Sequence, residues 1–196
     1  MTHLGTSTCI GVVLPQHTDV GEDEVLALLA PRARRPKGAR KRPGIGKSAV
    51  RKVKGDDPSW WVLDVDFAAL SLGVPLGLRP RTEGSRAARR WRQARAITAE
   101  LAIGLGAAYA GVGEEADVPV PARIAADAER ALAYAPQAWF FPANGPAWSY
   151  VVEAGTALPP SATGMWVVAS DPLTGRDDRT AQHRIVSVLV RLAKGT

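Results

Sequence analysis

A basic segment, running from Arg32 to Lys54, constrains the fold more than any other feature of the chain. It holds eleven Lys or Arg residues in 23 positions, no Asp or Glu, and several Pro and Gly residues. A segment without apolar periodicity cannot bury enough surface to fold alone. We therefore predict a basic arm, residues 32–58, inserted between the first helix and the second strand of a single domain that spans residues 1–196.

Charge is segregated along the whole chain. Residues 32–95 hold 18 basic and 5 acidic residues, a net charge of +13, whereas residues 1–31 and 96–196 carry −4 and −3. A codon bias explains why 19 of the 25 basic residues are Arg, but it does not explain why acidic residues are missing from one region. This distribution is typical of a protein that binds a polyanion.

A second basic segment, Arg79–Arg95, contains seven Arg residues and one acidic residue, Glu83. Helical spacing predicts a long helix from about Ser85 to Ala110, with Trp91 on its buried side. Arg86, Arg89, Arg90 and Arg92 would then crowd its first two turns. Cations at that position oppose the helix dipole and repel one another, and a bound anion removes both penalties. We therefore predict an anion-binding surface there.

The remaining elements predict an α+β fold with a mixed or antiparallel sheet packed by three to four helices. Short helices are predicted at 49–54, capped by Ser48, and at 121–134. A helix from about Glu22 is expected to stop at Pro31, and the last helix to begin between Asp177 and Thr180. The predicted strands are residues 8–14, 60–67, 138–141, 148–153 and 165–170, the last two forming a hairpin.

The strand from Trp60 to Phe67 carries two further hypotheses. Its odd-numbered residues are all apolar and predict the core face, so Trp60, Asp64 and Asp66 share the other face. On that face Trp60 is available to stack on a nucleic-acid base. Asp64 and Asp66 are spaced so that both carboxylates can bind one Mg²⁺ or Mn²⁺ ion. In these few residues alone the strand resembles metal-dependent phosphoryl-transfer enzymes such as palm-type polymerases and primases.

The metal hypothesis has an open partner and a structural alternative. The third acidic ligand is undecided among Glu83, Asp171, Asp177 and Asp178. In the alternative, both Asp residues of the strand form ion pairs with the nearby Arg clusters or lie on a solvated face of the sheet. A two-residue motif favours the alternative, and we expect no cofactor.

Other residue patterns exclude several functional classes. Cys9 is the only cysteine, and the three His residues are scattered, so no zinc site or nucleophile triad is predicted. Residues 46–48 (GKS) lack the earlier glycine of a phosphate-binding loop, and residues 46–55 are a weak candidate for a helix-turn-helix fragment. The glycines between Gly104 and Gly111 are expected inside a helix. The N-terminus does not read as a signal peptide, and no apolar window reaches the length of a membrane span, so we expect the cytoplasm of a bacterium.

These observations favour a non-catalytic nucleic-acid-binding protein, with RNA or single strands preferred over duplex DNA, acting as a subunit of a nucleoprotein assembly. Two alternatives stay open. One is a metal-dependent phosphodiester or nucleotidyl-transfer enzyme that uses Asp64 and Asp66; the other is a protein-assembly module whose arm binds an acidic partner. The predicted nucleic-acid contacts are Arg32, Arg34, Arg35, Lys37, Arg40, Lys41, Arg42, Lys47, Arg51, Lys52, Lys54, Arg86, Arg89, Arg90 and Trp60.

Overall fold

A computed structural model of the chain describes residues 8–18, 20–33, 49–54, 59–67, 81–154 and 162–195. Its centre is a six-stranded sheet in the order β2-β3-β1-β4-β5-β6, in which every neighbouring pair is antiparallel. The prediction of an α+β fold is therefore confirmed. The strands are β1 (Thr8–Pro15), β2 (Ala49–Lys54), β3 (Trp60–Phe67), β4 (Tyr109–Glu114), β5 (Ala138–Pro142) and β6 (Gly164–Val168), followed by the two-residue pair β7 (Ser170–Asp171) and β8 (Arg176–Asp177).

Six helices lie within the described residues, more than the three to four predicted. They are α1 (Glu22–Ala33), α2 (Arg81–Gly104), α3 (Pro121–Ala126), α4 (Ala128–Leu132), α5 (Trp148–Glu153) and α6 (Arg179–Gly195). None of the helices in this part of the chain is both long and apolar enough to cross a lipid bilayer.

The sheet is covered by helices on both faces, which creates two hydrophobic cores. Side chains such as Val12 and Leu63 pack with α1 and α2 on one face. Their neighbours along the strands, such as Val13 and Val62, pack with α3 to α6 on the other face. Because both faces are covered, the central strands β1 and β5 are apolar almost throughout rather than alternating. The prediction that the strand 60–67 has a single core face is therefore wrong.

Several predicted boundaries are also wrong. The first helix continues past Pro31 to Ala33. The second begins at Arg81 and ends at Gly104, and Gly106 then adopts a positive φ of 63° that lets the chain turn into β4. The glycines expected inside a helix therefore lie elsewhere. Gly104 ends α2, Gly106 forms this turn, and Gly111 lies within β4.

Two segments have a different secondary structure from the one predicted. Residues 49–54 form the strand β2 rather than a helix, because Val50 and Val53 extend the sheet beside β3. The strand leaves no helix at 49–54 for a helix-turn-helix fragment. It also contradicts a continuous arm over residues 32–58, because 32–33 belong to α1 and 49–54 to the sheet, while 34–48 and 55–58 lie outside the described residues. Residues 148–153 form α5 rather than a strand, and the buried Ala147 and Val151, four positions apart, show the helical period.

The predicted helix 121–134 is broken into two. Asp127 leaves the helical region with φ −156° and ψ 91°. Its side chain accepts a hydrogen bond of 3.0 Å from the backbone N–H of Arg130, which caps α4. At the last helix Asp178 plays the same part for Ala181, within the predicted starting range.

Candidate nucleic-acid interface

The outer side of α2 is a stripe of arginines. Arg86, Arg89 and Arg92 are spaced three residues apart and are all exposed, whereas Trp91 and Ala94 on the inner side are buried. Between Gly84 and Ala99 the helix has five Arg residues and no acidic residue. Within the part of the chain that the structure describes, none of the three exposed arginines forms an ion pair. We call Arg86, Arg89 and Arg92 the arginine stripe.

The stripe is electrostatically unfavourable for the helix itself. Arg86 with Arg89, Arg86 with Arg90, Arg89 with Arg92, and Arg92 with Arg95 stand three or four positions apart, and each such like-charge pair costs about 0.2–0.5 kcal/mol. The predicted conflict with the helix dipole is weaker than expected. Because α2 begins at Arg81, Arg86 lies in its second turn, beyond most of the dipole effect.

Arg95 is half-buried and is held in place by an aromatic ring. The Cζ atom of its guanidinium lies 4.4 Å from the ring centroid of Trp166 on β6. The ring centroids of Trp166 and Phe140 are in turn 5.1 Å apart. The Arg95 Nε has no hydrogen-bond partner among the described residues, and burial lowers the pKa of Arg95 from its usual value. Arg95 is therefore a structural residue that fixes α2 against the edge of the sheet.

Three of the predicted contact residues lie on β2, an outer strand of the sheet. Arg51, Lys52 and Lys54 stand opposite Asp64, Leu63 and Trp61 of β3, respectively. Charged residues on an outer strand discourage pairing with another chain, which gives these cations a structural role besides the predicted binding role.

The last residue of the second basic segment, Arg95, and the strand β2 lie at opposite edges of the sheet. Arg95 contacts β6 at one edge, and β2 forms the other edge, five strand spacings away, or roughly 24 Å. Arg32 lies near the end of α1, and the remaining predicted arm contacts, which stay predictions, fall outside the described residues: Arg34, Arg35, Lys37, Arg40, Lys41, Arg42 and Lys47.

The placement predicted for Trp60 is wrong. Trp60 is only 3% exposed, because α3 to α6 cover the sheet face on which it lies. Its indole N–H has no hydrogen-bond partner among the described residues. A ring buried in this way has no free face on which a base can stack.

Asp64 lies on the same sheet face as Trp60 and is half-buried. Its neighbour in β1 is Gly11, which stands opposite Gly111 of β4. A Cβ atom at Gly11 would lie 2.4 Å from Val118 Cγ2, and one at Gly111 would lie 2.3 Å from Pro136 Cγ. The two glycines therefore let the segment around Val118 lie directly on the sheet beside Asp64.

The structure brings none of the candidate third ligands to Asp64. Asp171, Asp177 and Asp178 follow β6, which lies four strand spacings from β3, or roughly 19 Å. Two of them are used locally. Asp171 accepts hydrogen bonds from Leu173 N–H and the Thr174 hydroxyl, and Asp178 caps α6.

The fourth candidate, Glu83, belongs to α2, which packs on the opposite face of the sheet from Asp64. Asp66 follows Asp64 on β3 and stands opposite Ala49 of β2 and Cys9 of β1. Among the described residues no three His, Cys, Asp or Glu side chains form a group able to hold a metal ion. The geometry gives the metal hypothesis no support.

Arg92 is an exposed cation of α2 that the predicted contacts did not include. Arg92 belongs to the arginine stripe, while Arg90, which was included, is half-buried. The spacing of the arginines could have identified Arg92 as part of the stripe, because Arg92 follows Arg89 by three residues just as Arg89 follows Arg86.

No protein-family model matches this chain, and no curated protein or solved structure matches it either.

Proposed function

We propose that this protein binds nucleic acid through its phosphate backbone, using the arginine stripe of α2 together with the basic arm. The observation that carries the proposal is the stripe itself: three exposed arginines with no ion pair among the described residues, on a helix half without an acidic residue. Like charges that repel one another and form no ion pair among the described residues are expected where an external anion neutralises them.

The spread of the cations supports a polymeric partner. Arg86 and Arg92 stand six residues apart on α2, roughly 9 Å along the helix axis, so one small anion cannot neutralise all three charges of the stripe. An extended chain of phosphates can do so, and each arginine that meets a phosphate releases counterions. Arg also suits this role because its planar fork donates two parallel hydrogen bonds to phosphate oxygens.

We propose single-stranded RNA as the preferred partner, bound in the cytoplasm within a nucleoprotein assembly. The preference rests on arginine chemistry alone, since the buried Trp60 offers no stacking platform. The protein-assembly alternative loses one of its supports, because residues 148–153 form α5 rather than part of an apolar hairpin. The proposed binding needs no metal ion and no catalytic residue.

Binding of labelled single-stranded RNA, duplex DNA and polyglutamate, measured by fluorescence anisotropy at several salt concentrations, tests the proposal. If about five to eight cations meet phosphates, the logarithm of the RNA affinity should fall against the logarithm of salt concentration with a slope of roughly −3.5 to −5.6. Polyglutamate bound as tightly as RNA would favour the assembly alternative. An RNA affinity that is absent at low salt would refute the proposal.

A further inference from the structure

The outer side of β6 carries backbone groups that the sheet leaves unused. Just beyond the two ends of β6, Ala143 N–H donates to the Thr163 carbonyl and Ala169 N–H donates to the Gln137 carbonyl, both at 2.9 Å. In an antiparallel pair of strands, residues that exchange hydrogen bonds alternate with residues whose groups point away. These two bonds therefore fix which residues of β6 face β5.

Because the pairs formed by Thr163 and Ala169 are hydrogen-bonded, every second residue between them is hydrogen-bonded to β5 as well. These residues are Met165 and Val167. The backbone N–H and C=O groups of Gly164, Trp166 and Val168 point to the other side. Within the described residues these outward groups have no hydrogen-bond partner. An outer strand with a row of unpaired groups is a template for a further strand.

The two outer strands of the sheet, β2 and β6, differ in the number of charged residues that they carry. β2 carries Arg51, Lys52 and Lys54, whereas β6 has the sequence GMWVV without a charged residue. Charges on β2 oppose pairing of that edge with a copy of itself, because like charges would stand across from each other. β6 itself has no charged residue, so pairing is directed to this edge. Its unpaired groups end at Val168, because the next carbonyl, that of Ala169, accepts a hydrogen bond of 2.8 Å from Asp178 N–H.

We propose that a second copy of this chain pairs with β6 antiparallel about a two-fold axis at Trp166. Trp166 then stands opposite Trp166 of the other copy, and Gly164 opposite Val168, so that every outward group finds a partner. The three pairs form about six hydrogen bonds. The contact is isologous and closes on itself, which is the commonest symmetry among oligomers.

The side chains of the outward residues fit this arrangement. Trp166 and Val168 lie on the α2 face, and both are partly exposed at the edge of the core. Pairing brings the two Trp166 Cα atoms to about 5.5 Å, and aromatic residues across from each other stabilise paired strands. Arg95 and Phe140 already hold the Trp166 ring in place, so little freedom is lost on association.

Val168→Pro tests the proposal with little disturbance of the fold. It removes an N–H that points outward, which Pro tolerates on an outer strand, and it leaves the bonds to β5 intact. Val168→Lys places a charge at the same position. Val152→Lys, at a valine of α5 that is 44% exposed, is the matched control. The measurement is sedimentation equilibrium of protein freed of nucleic acid by nuclease and high salt.

Wild type and the control should approach twice the monomer mass of 20.8 kDa as concentration rises. Both Val168 variants should raise the dimer dissociation constant at least about tenfold, because each dimer loses two hydrogen bonds or gains two like charges. A wild type that stays monomeric overturns the proposal and leaves the edge to another partner. A dimer that Val168→Lys does not weaken also overturns the proposal. If Val168→Pro fails to fold, the result for Val168→Lys alone decides the test.

Discussion

Replacing the arginine stripe by glutamine should make the protein more stable and a weaker binder at once. The variant Arg86→Gln with Arg89→Gln and Arg92→Gln removes all four like-charge pairs on α2, including those that involve Arg90 and Arg95. At about 0.2–0.5 kcal/mol per pair, the free energy of unfolding should rise by about 0.8–2 kcal/mol at low salt. Gln and Arg have nearly equal helix propensity, so the change isolates the charge effect.

The same variant should lose affinity for RNA. Three lost phosphate contacts on a single strand remove about two units of log K at 0.1 M salt, or roughly a hundredfold. A structural role for these arginines predicts the opposite pattern, with lower stability and an affinity that changes only as far as folding does. The two interpretations therefore differ in the sign of the stability change.

A charge-matched variant separates the stripe from net charge. It changes three exposed arginines outside α2 to glutamine and lowers the net charge from +6 to the same +3: Arg130, Arg176 and Arg179. Thermal unfolding followed by circular dichroism should show a rise in Tm of roughly 2–8 °C for the stripe variant at low salt, shrinking at high salt. A stripe variant that is less stable than wild type, or that binds RNA as tightly as the matched variant does, would refute the reasoning.

Three further predictions follow from the packing of the sheet. Gly111→Ala should cost about 1–3 kcal/mol in urea unfolding, because its Cβ would lie 2.3 Å from Pro136 Cγ, whereas Gly84→Ala in α2, with nothing within 4 Å, should stabilise by about 0.5–1 kcal/mol; equal effects would contradict the close approach over β4. Trp60→Phe should leave RNA affinity unchanged in anisotropy titrations, because the ring is buried, and a tenfold loss would show that it contacts RNA. Asp64→Asn with Asp66→Asn should leave RNA affinity in EDTA or Mg²⁺ unchanged or slightly higher, and a metal-dependent cleavage activity that this variant abolishes would restore the enzyme hypothesis.

The sequence predicted the apolar strands well and their surroundings poorly. β1, β3 and β5 are strongly apolar, and the final helix has a clear buried side in Ile185 and Leu189, so local pattern alone identifies them. The placement of Trp60 failed because burial of the second sheet face depends on helices far away in the chain. No local signal distinguishes a face covered by α3 to α6 from one that meets solvent.

Short segments failed for a related reason. Residues 49–54 become a strand only because β3 offers an edge to pair with, and residues 148–153 become a helix because Val151 is buried against the second core. In both segments tertiary contacts override a weak local preference. At the candidate site, the stripe at Arg86 and Arg89 was predictable from spacing, whereas the stacking of Arg95 on Trp166 required the fold.

The salt dependence of RNA binding tests most directly whether the stripe of α2 contacts phosphates, as proposed. Comparing wild type, the stripe variant and the charge-matched variant gives three slopes of log K against log salt concentration. We predict that the stripe variant reduces the magnitude of the slope by about 2, or roughly 0.7 for each of Arg86, Arg89 and Arg92, and that the charge-matched variant leaves it unchanged. Equal slopes for the two variants would contradict the claim.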